Sequence, residues 1–139
     1  MNEDARERFL LRSKLIWEIR NYLNSKEYVE IETPILNNKA SGALARPFTT
    51  HHNALDIDLY LRIAPETYLK RAIVGGFTKV YEFARCFRNE GMDTTHLQDF
   101  TMLEGYGAYL NYKDNMTFLR EMIQKVVKNL FGTLEINIK

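Results

Sequence analysis

Two apolar runs hold the residues whose types and spacing best suit chemistry. One run contains Arg88 and Glu90, and the next contains Phe100, Glu104 and Tyr106. Residues two apart in a strand point to the same face. We therefore expect Arg88 and Glu90 to share a face, and Phe100, Glu104 and Tyr106 to share one. If the runs pair as a hairpin, their charges and ring gather on one sheet face. Such a face suits an anionic, planar ligand, and ATP is the candidate.

Arg88 is the strongest single candidate. A guanidinium binds a phosphate or a carboxylate through two parallel hydrogen bonds. In adenylate-forming chemistry, negative charge builds at the α-phosphate as a carboxylate attacks it, and a fixed arginine stabilises that transition state. The alternative is a structural ion pair at the end of a strand, with Glu90 or Glu104 as the partner.

Phe100 and Glu104 also have two interpretations each. The Phe100 ring can stack on a base, or it can be an ordinary core aromatic. Glu104 follows Leu103 in an apolar strand, so its carboxylate must be paired, exposed or bound to a ligand. A ligand that carries an ammonium group would be a natural partner for Glu104.

Glu66 and the histidines carry weaker signals. Glu66 lies in the first turn of a predicted helix, where it offsets the helix dipole or captures a substrate amine. His96 lies in the polar hairpin loop, either solvated or beside a phosphate tail. His51 and His52 are adjacent in a strand and point to opposite faces, so we expect no metal site there.

Composition limits the possible classes of protein. The 139 residues suit a single domain over 1–139, and 45% hydrophobic with 27% charged residues is typical of a globular protein. A net charge of +1 does not favour strong nucleic-acid binding. The single cysteine, Cys86, cannot form an internal disulfide, and we expect a buried, inert thiol. No signal core or membrane-length run is present, which predicts a cytoplasmic protein without a membrane partner.

Periodicity and turn residues predict the elements that position these side chains. The pattern is typical of an α+β fold with a mostly antiparallel β-sheet flanked by helices. The predicted elements are a helix over 6–26, a strand over 28–32, a loop over 37–42, an extended region over 46–62 with a turn near His52-Asn53, a helix with Pro65 at its first position that ends at Gly75-Gly76, strands over 79–90 and 98–109, a helix capped by Asp114 that ends at 131–132, and a strand over 134–138.

The chain resembles the class II aminoacyl-tRNA synthetases of the lysyl type. The helix and strand over about 6–36 are similar to the first motif of that family, with Pro34 as its signature proline. The hairpin over about 79–109 is similar to the second motif. The segments between the motifs resemble lysyl rather than aspartyl or asparaginyl enzymes. They are Ala45-Arg46-Pro47-Phe48, the run from Thr50 to Asp56, and Leu59-Tyr60-Leu61-Arg62-Ile63-Ala64-Pro65-Glu66.

The resemblance implies that residues 1–139 are a single partial catalytic domain, from an enzyme that activates lysine with ATP and transfers it to the 3′ end of tRNA. For ATP it implies that Arg88, the catalytic residue, contacts the α-phosphate and the lysine carboxylate. Glu90 would read the adenine amino group, Phe100 would stack on the ring, and His96 would lie near the distal phosphates. Mg²⁺ is the family's metal, and the resemblance places none of its ligands in this chain.

For lysine, the resemblance implies that Gly42 and Glu66 hold the α-amino group. Tyr106, with Glu104 nearby, would face the side-chain ammonium. The first motif implies a homodimer through its helix and strand.

The chain departs from the family pattern in three places and in what it lacks. Ser41 stands where the family usually has glycine, Leu97-Gln98-Asp99 replaces Asn-Pro-Glu, and Gly105 replaces a larger apolar residue. Nothing resembles the third motif or the anticodon-binding barrel. We therefore expect weak activation and weakened tRNA binding. The alternatives are an inactive folding, dimerisation or ATP-binding module, and lysylation of a protein acceptor.

Overall fold

The computed structural model describes residues 2–91 and 93–135. Within them no helix has the length and apolar character needed to cross a bilayer. The described helices are α1 (Glu3–Ser25), α2 (Glu66–Val74) and α3 (Tyr112–Phe131), and the strands are β1 (Val29–Glu30), β2 (Leu36–Asn37), β3 (Thr49–His52), β4 (Ile57–Leu61), β5 (Lys79–Phe87) and β6 (Asp99–Gly107).

The chain divides into two compact units. One unit combines Met1–Tyr28 with Tyr109–Lys139 and contains α1 and α3, and the other is Val29–Ala108 and contains the strands and α2. The candidate residues Gly42, Glu66, Arg88 and their partners all lie in the second unit. That unit therefore holds the whole of the predicted site.

In the helical unit, the buried part of α1 is its C-terminal turn. Tyr22 and Leu23 are buried, whereas Phe9 near the start of α1 is 67% exposed. The ring of Phe118 on α3 lies 5.4 Å from the Tyr22 ring and 5.3 Å from the Tyr28 ring. These aromatic contacts, together with buried residues of α3, form the core of the unit.

The predicted starts of α1 and α3 are wrong by a few residues. Helix α1 begins at Glu3 rather than residue 6, because the Asn2 side chain accepts a hydrogen bond from the Asp4 N–H at 2.8 Å. Helix α3 is capped by Asn111 rather than Asp114. The Asp114 carboxylate instead accepts from the Asn111 N–H at 2.9 Å, which completes a capping box. In the predicted strand over 134–138, residues 134 and 135 are not in a strand, and 136–138 lie outside the described residues.

The second unit contains two three-stranded sheets. In one, β5 lies between β1 and β6, with β1 parallel and β6 antiparallel to it, and in the other β4 lies between β2 and β3, antiparallel to both. The expected α+β fold with mostly antiparallel sheets is confirmed. The extended region over 46–62 folds as the β3–β4 hairpin, and Pro65 is the cap of α2 rather than its first residue.

Strand β5 supplies the centre of the core. Val80, Tyr81, Ala84 and Cys86 are fully buried on it, and α2, whose Leu69 is fully buried, packs on both β5 and β6. Burial raises the pKa of the Cys86 thiol, which disfavours the reactive thiolate. The expectation of a buried thiol is confirmed.

Candidate ligand-binding site on the hairpin face

The antiparallel register of β5 and β6 assembles one face of the hairpin. Cys86 lies opposite Phe100, and Glu82 lies opposite Glu104. Opposed residues project to the same side of a sheet. The alternation predicted for Phe100, Glu104 and Tyr106 is therefore present. The shared face carries, in order along the pair, Val80, Glu82, Ala84, Cys86, Phe100, Met102, Glu104 and Tyr106.

Arg88 continues this face just beyond the end of β5. Its backbone N–H donates to the Gln98 carbonyl at 2.8 Å, which extends the ladder by one residue. Its guanidinium carbon lies 5.1 Å from the centroid of the Phe100 ring, within the range of a cation–π contact. The side chain is thus fixed against the ring that the sequence offered for stacking.

The Nε of Arg88 is buried and has no hydrogen-bond partner in the part of the chain that the structure describes. The alternative of an ion pair with Glu90 or Glu104 does not occur among those residues. A buried donor without an acceptor costs roughly 1–3 kcal/mol. A ligand oxygen at this position would remove that cost, so the arrangement favours an anion.

Glu90 does not follow the strand alternation expected for it. Strand β5 ends at Phe87 rather than residue 90, because the Asn89 N–H leaves the ladder and donates to the Arg46 carbonyl at 2.7 Å. The Glu90 carboxylate accepts from the Arg46 N–H at 3.2 Å. Glu90 is therefore placed by the loop before β3 and not by a shared strand face with Arg88.

Gly42 and Glu66 lie side by side. Gly42 has a φ of +89°, and a Cβ on this residue would lie 3.1 Å from the Cβ of Glu66 and 3.2 Å from the Cβ of Ala64. Only glycine fits such a position without strain. The neighbouring Ser41 accepts a hydrogen bond from the Thr67 hydroxyl at 3.1 Å, so the serine ties this loop to α2.

The region around Glu104 is electronegative. Burial is the main cause that raises the pKa of Glu104, and the nearby Glu66 and Glu82 raise it further. Burial and the Glu104 charge likewise raise the pKa of Tyr106, whose hydroxyl donates to Glu104 at 3.4 Å. Lys70 on α2 lies 2.5 Å from the Glu66 carboxylate. A carboxylate whose pKa is raised by burial and by neighbouring carboxylates favours a bound cation.

His96 is held by its own loop. The Asp93 carboxylate accepts from the His96 backbone N–H at 2.9 Å and lies 2.7 Å from the ring Nδ1. Hydrogen bonds from Thr95, followed by that from His96, lower the pKa of Asp93. Because a carboxylate only accepts, Nδ1 carries the proton, and Nε2 of the neutral ring is an acceptor.

Sequence reasoning missed a buried network that supports the hairpin. Arg62, the residue after β4, pairs with Glu82 on β5 at 2.6 Å, and the Thr33 hydroxyl donates to the same carboxylate at 2.6 Å. The Arg62 carbonyl accepts from the Phe87 N–H at 2.9 Å, one residue before Arg88. The available signal was a pair of opposite charges, one inside the apolar strand β5 and one directly after β4.

The described residues contain no group of three or more histidine, cysteine or carboxylate side chains arranged to hold a metal ion. The Mg²⁺ that the resemblance implies therefore has no cage of protein ligands in residues 2–91 and 93–135.

Comparison with known proteins gives a consistent family. The family described as tRNA synthetases class II (D, K and N) matches residues 1–138. A lysine–tRNA ligase of Enterococcus faecalis is 57% identical over 97% of the chain, and one of Dehalococcoides mccartyi is 58% identical over 94%. A third, from Teredinibacter turnerae, is 54% identical over 97%. The chain spans 27%, 26% and 27% of the length of these relatives.

Proposed function

We propose, from the premise that the chain belongs to the class II tRNA synthetases (D, K and N), that its hairpin face binds ATP and lysine and joins them as lysyl-adenylate. The observation that carries this proposal is Arg88, whose buried Nε has no protein acceptor and whose guanidinium lies against Phe100. A fixed cation beside a stacking ring matches the two halves of a nucleotide.

In the proposed reaction the lysine carboxylate attacks the α-phosphorus of ATP. The new carbon–oxygen–phosphorus link forms as the bond to pyrophosphate breaks, and no protein nucleophile is needed. Arg88 contacts the α-phosphate and the attacking carboxylate, and so offsets the charge that grows between them. Phe100 stacks on adenine, Glu90 reads its amino group, and His96 lies near the distal phosphates. Catalysis then consists of positioning and electrostatic stabilisation.

Lysine has two ammonium groups, and the electronegative region supplies partners for both. Gly42 and Glu66 hold the α-amino group, since the missing Cβ of Gly42 lets the loop backbone approach the Glu66 side chain. Glu104 and Tyr106 face the side-chain ammonium, a role supported by the raised pKa of Glu104. A ligand with a neutral side chain of the same length would leave this half-buried carboxylate without a counter-charge.

The remaining partners follow from the family. The lysyl group passes from the adenylate to the 3′ end of tRNA, and Mg²⁺ accompanies ATP as a substrate complex. The first-motif helix and strand, over about 6–36, form a homodimer. Support for that interface comes from α1, where Phe9, Leu10 and Trp17 are 67%, 51% and 62% exposed.

The test is lysine-dependent exchange of pyrophosphate into ATP by this chain. Arg88→Ala is expected to lower the exchange rate about a hundredfold or more, since it removes a transition-state donor. Arg85→Ala is the matched control, because Arg85 projects from the opposite face of β5 and pairs with Asp99 at 3.1 Å. Its exchange rate is expected to stay within about twofold of the native value.

Two outcomes would overturn the catalytic proposal. One is native exchange in Arg88→Ala, and the other is a chain without exchange. Calorimetric binding of ATP by an inactive chain would favour the alternative, a nucleotide-binding module without turnover. A stable dimer that binds neither ATP nor lysine would favour the other alternative, a dimerisation module.

A further inference from the structure

We propose that Lys70 is an internal counter-ion that competes with the ligand's ammonium groups for the carboxylate of Glu66. This inference rests on the proposed lysine site and adds a residue that sets its affinity. Lys70 lies outside the ATP-facing part of the hairpin and takes no part in the reaction itself. Its effect would be on lysine binding.

The Lys70 ammonium lies near two residues that we assign to lysine binding. Its Nζ is 2.5 Å from the Glu66 carboxylate oxygen and 5.9 Å from the centroid of the Tyr106 ring. Glu66 is the proposed partner of the ligand's α-amino group, and Tyr106 faces its side-chain ammonium. A single protein ammonium therefore contacts one residue from each half of the lysine site.

Binding of lysine would replace the Lys70 ammonium at the Glu66 carboxylate with an ammonium group of the ligand. The carboxylate accepts from Lys70, and a ligand ammonium at the same oxygen would bring two positive charges close together. Lys70 must then move aside, which its 59% exposed side chain allows. The energy needed to separate this pair is subtracted from the affinity for lysine.

An ordinary helix-surface ion pair is the competing explanation. Lys70 follows Glu66 by four residues on α2, and such pairs commonly stabilise a helix slightly. That explanation does not account for the contact with Tyr106, which comes from β6 rather than from the helix. It also predicts a different result, because a pair that only supports the helix would leave the affinity for lysine unchanged.

Calorimetric titration of this chain with lysine distinguishes the competing counter-ion from an ordinary helix-surface ion pair. Lys70→Gln is expected to lower the Kd for lysine about two- to fivefold, the range expected for a partly exposed pair. Lys70→Arg keeps the charge and is expected to return the native Kd. Arg71→Gln removes a positive charge from the next residue of α2, and the Kd is expected to stay native. The inference is wrong if Lys70→Gln leaves the Kd unchanged or raises it, or if Arg71→Gln lowers it equally.

Glu66→Gln distinguishes a failure of this inference from a failure of the proposed site. If Glu66→Gln weakens lysine binding and Lys70→Gln has no effect, only the role of Lys70 is wrong. If Glu66→Gln leaves lysine binding unchanged, or the native chain binds no lysine, the proposed lysine site is wrong and the role of Lys70 falls with it.

Discussion

Arg62 and Glu82 form an ion pair of 2.6 Å in which the side chains are only 5% and 4% exposed. Arg62 directly follows β4 and Glu82 lies on β5, so the pair connects the end of a strand in one sheet to a strand of the other. The Arg62 carbonyl also accepts from the N–H of Phe87. The strand end that carries Arg88 is therefore tied to the neighbouring sheet by side-chain and backbone bonds of the same residue.

Removal of the Glu82 carboxylate is expected to cost far more stability than removal of an exposed one. Glu82→Ala leaves the Arg62 guanidinium buried without its counter-charge, which costs about 3–5 kcal/mol. Asp99→Ala breaks the pair with Arg85, whose side chains are 50% and 52% exposed, and is expected to cost about 0–1 kcal/mol. Urea denaturation measures both free energies of unfolding. Equal costs for the two variants would contradict the structural role of the buried pair.

Gly42→Ala is expected to damage the lysine site. The added methyl would lie 3.1 Å from the Glu66 Cβ, and the φ of +89° is strained for alanine, at a cost of about 1–3 kcal/mol. The loop must therefore move away from Glu66, which we expect to raise the Kd for lysine while ATP binding changes little. Calorimetry with each ligand checks this.

Gly91→Ala provides the control for the glycine substitution. A Cβ at Gly91 would meet no atom within 4 Å, and no positive φ constrains the residue. Its lysine Kd is expected to stay native. If Gly42→Ala binds lysine as well as Gly91→Ala does, the close approach of the loop to Glu66 has no role in binding.

Local pattern predicted the hairpin face but not where it ends. The period of two placed Phe100, Glu104 and Tyr106 together, because alternation is a property of any strand. The end of β5 depends instead on the bond from Asn89 to Arg46, whose partners are distant in the sequence. No local pattern carries that information, so the sequence-based interpretation extended the strand and aligned Glu90 with Arg88 incorrectly.

The burial of the Arg62 and Glu82 charges could not be predicted from the local sequence either. Glu82 interrupts the apolar strand β5 and Arg62 directly follows β4, and either charge alone is equally consistent with exposure. Their pairing depends on how two sheets meet. Arg88 shows the converse. Its residue type and family motif marked it for function, and the structure added that its Nε is buried without a partner among the described residues.

The loop of His96 is expected to loosen in acid. Hydrogen bonds from Thr95 and then His96 lower the pKa of Asp93, so its stabilising effect is present above the ordinary carboxyl pKa and is lost as pH falls through the lowered value. Asp93→Asn is expected to make this loop less ordered at neutral pH, so that the His96 amide proton exchanges faster. It is also expected to reduce the Nδ1–H tautomer of His96, which ¹⁵N chemical shifts report. Unchanged exchange and an unchanged tautomer would show that Asp93 does not orient the ring.

Glu104→Gln is expected to stabilise the fold and weaken lysine binding together. Burial raises the pKa of Glu104 above its ordinary value of 4.5, so the folded chain binds this proton more tightly than the unfolded chain does. The free energy of unfolding therefore falls as pH rises from the ordinary value through the raised one, and Glu104→Gln removes this loss. Denaturation at several pH values, paired with lysine calorimetry, measures both effects. Glu32→Gln, at an exposed residue, is expected to change neither. A Glu104→Gln chain with native lysine affinity would contradict the role of this carboxylate, whatever its stability.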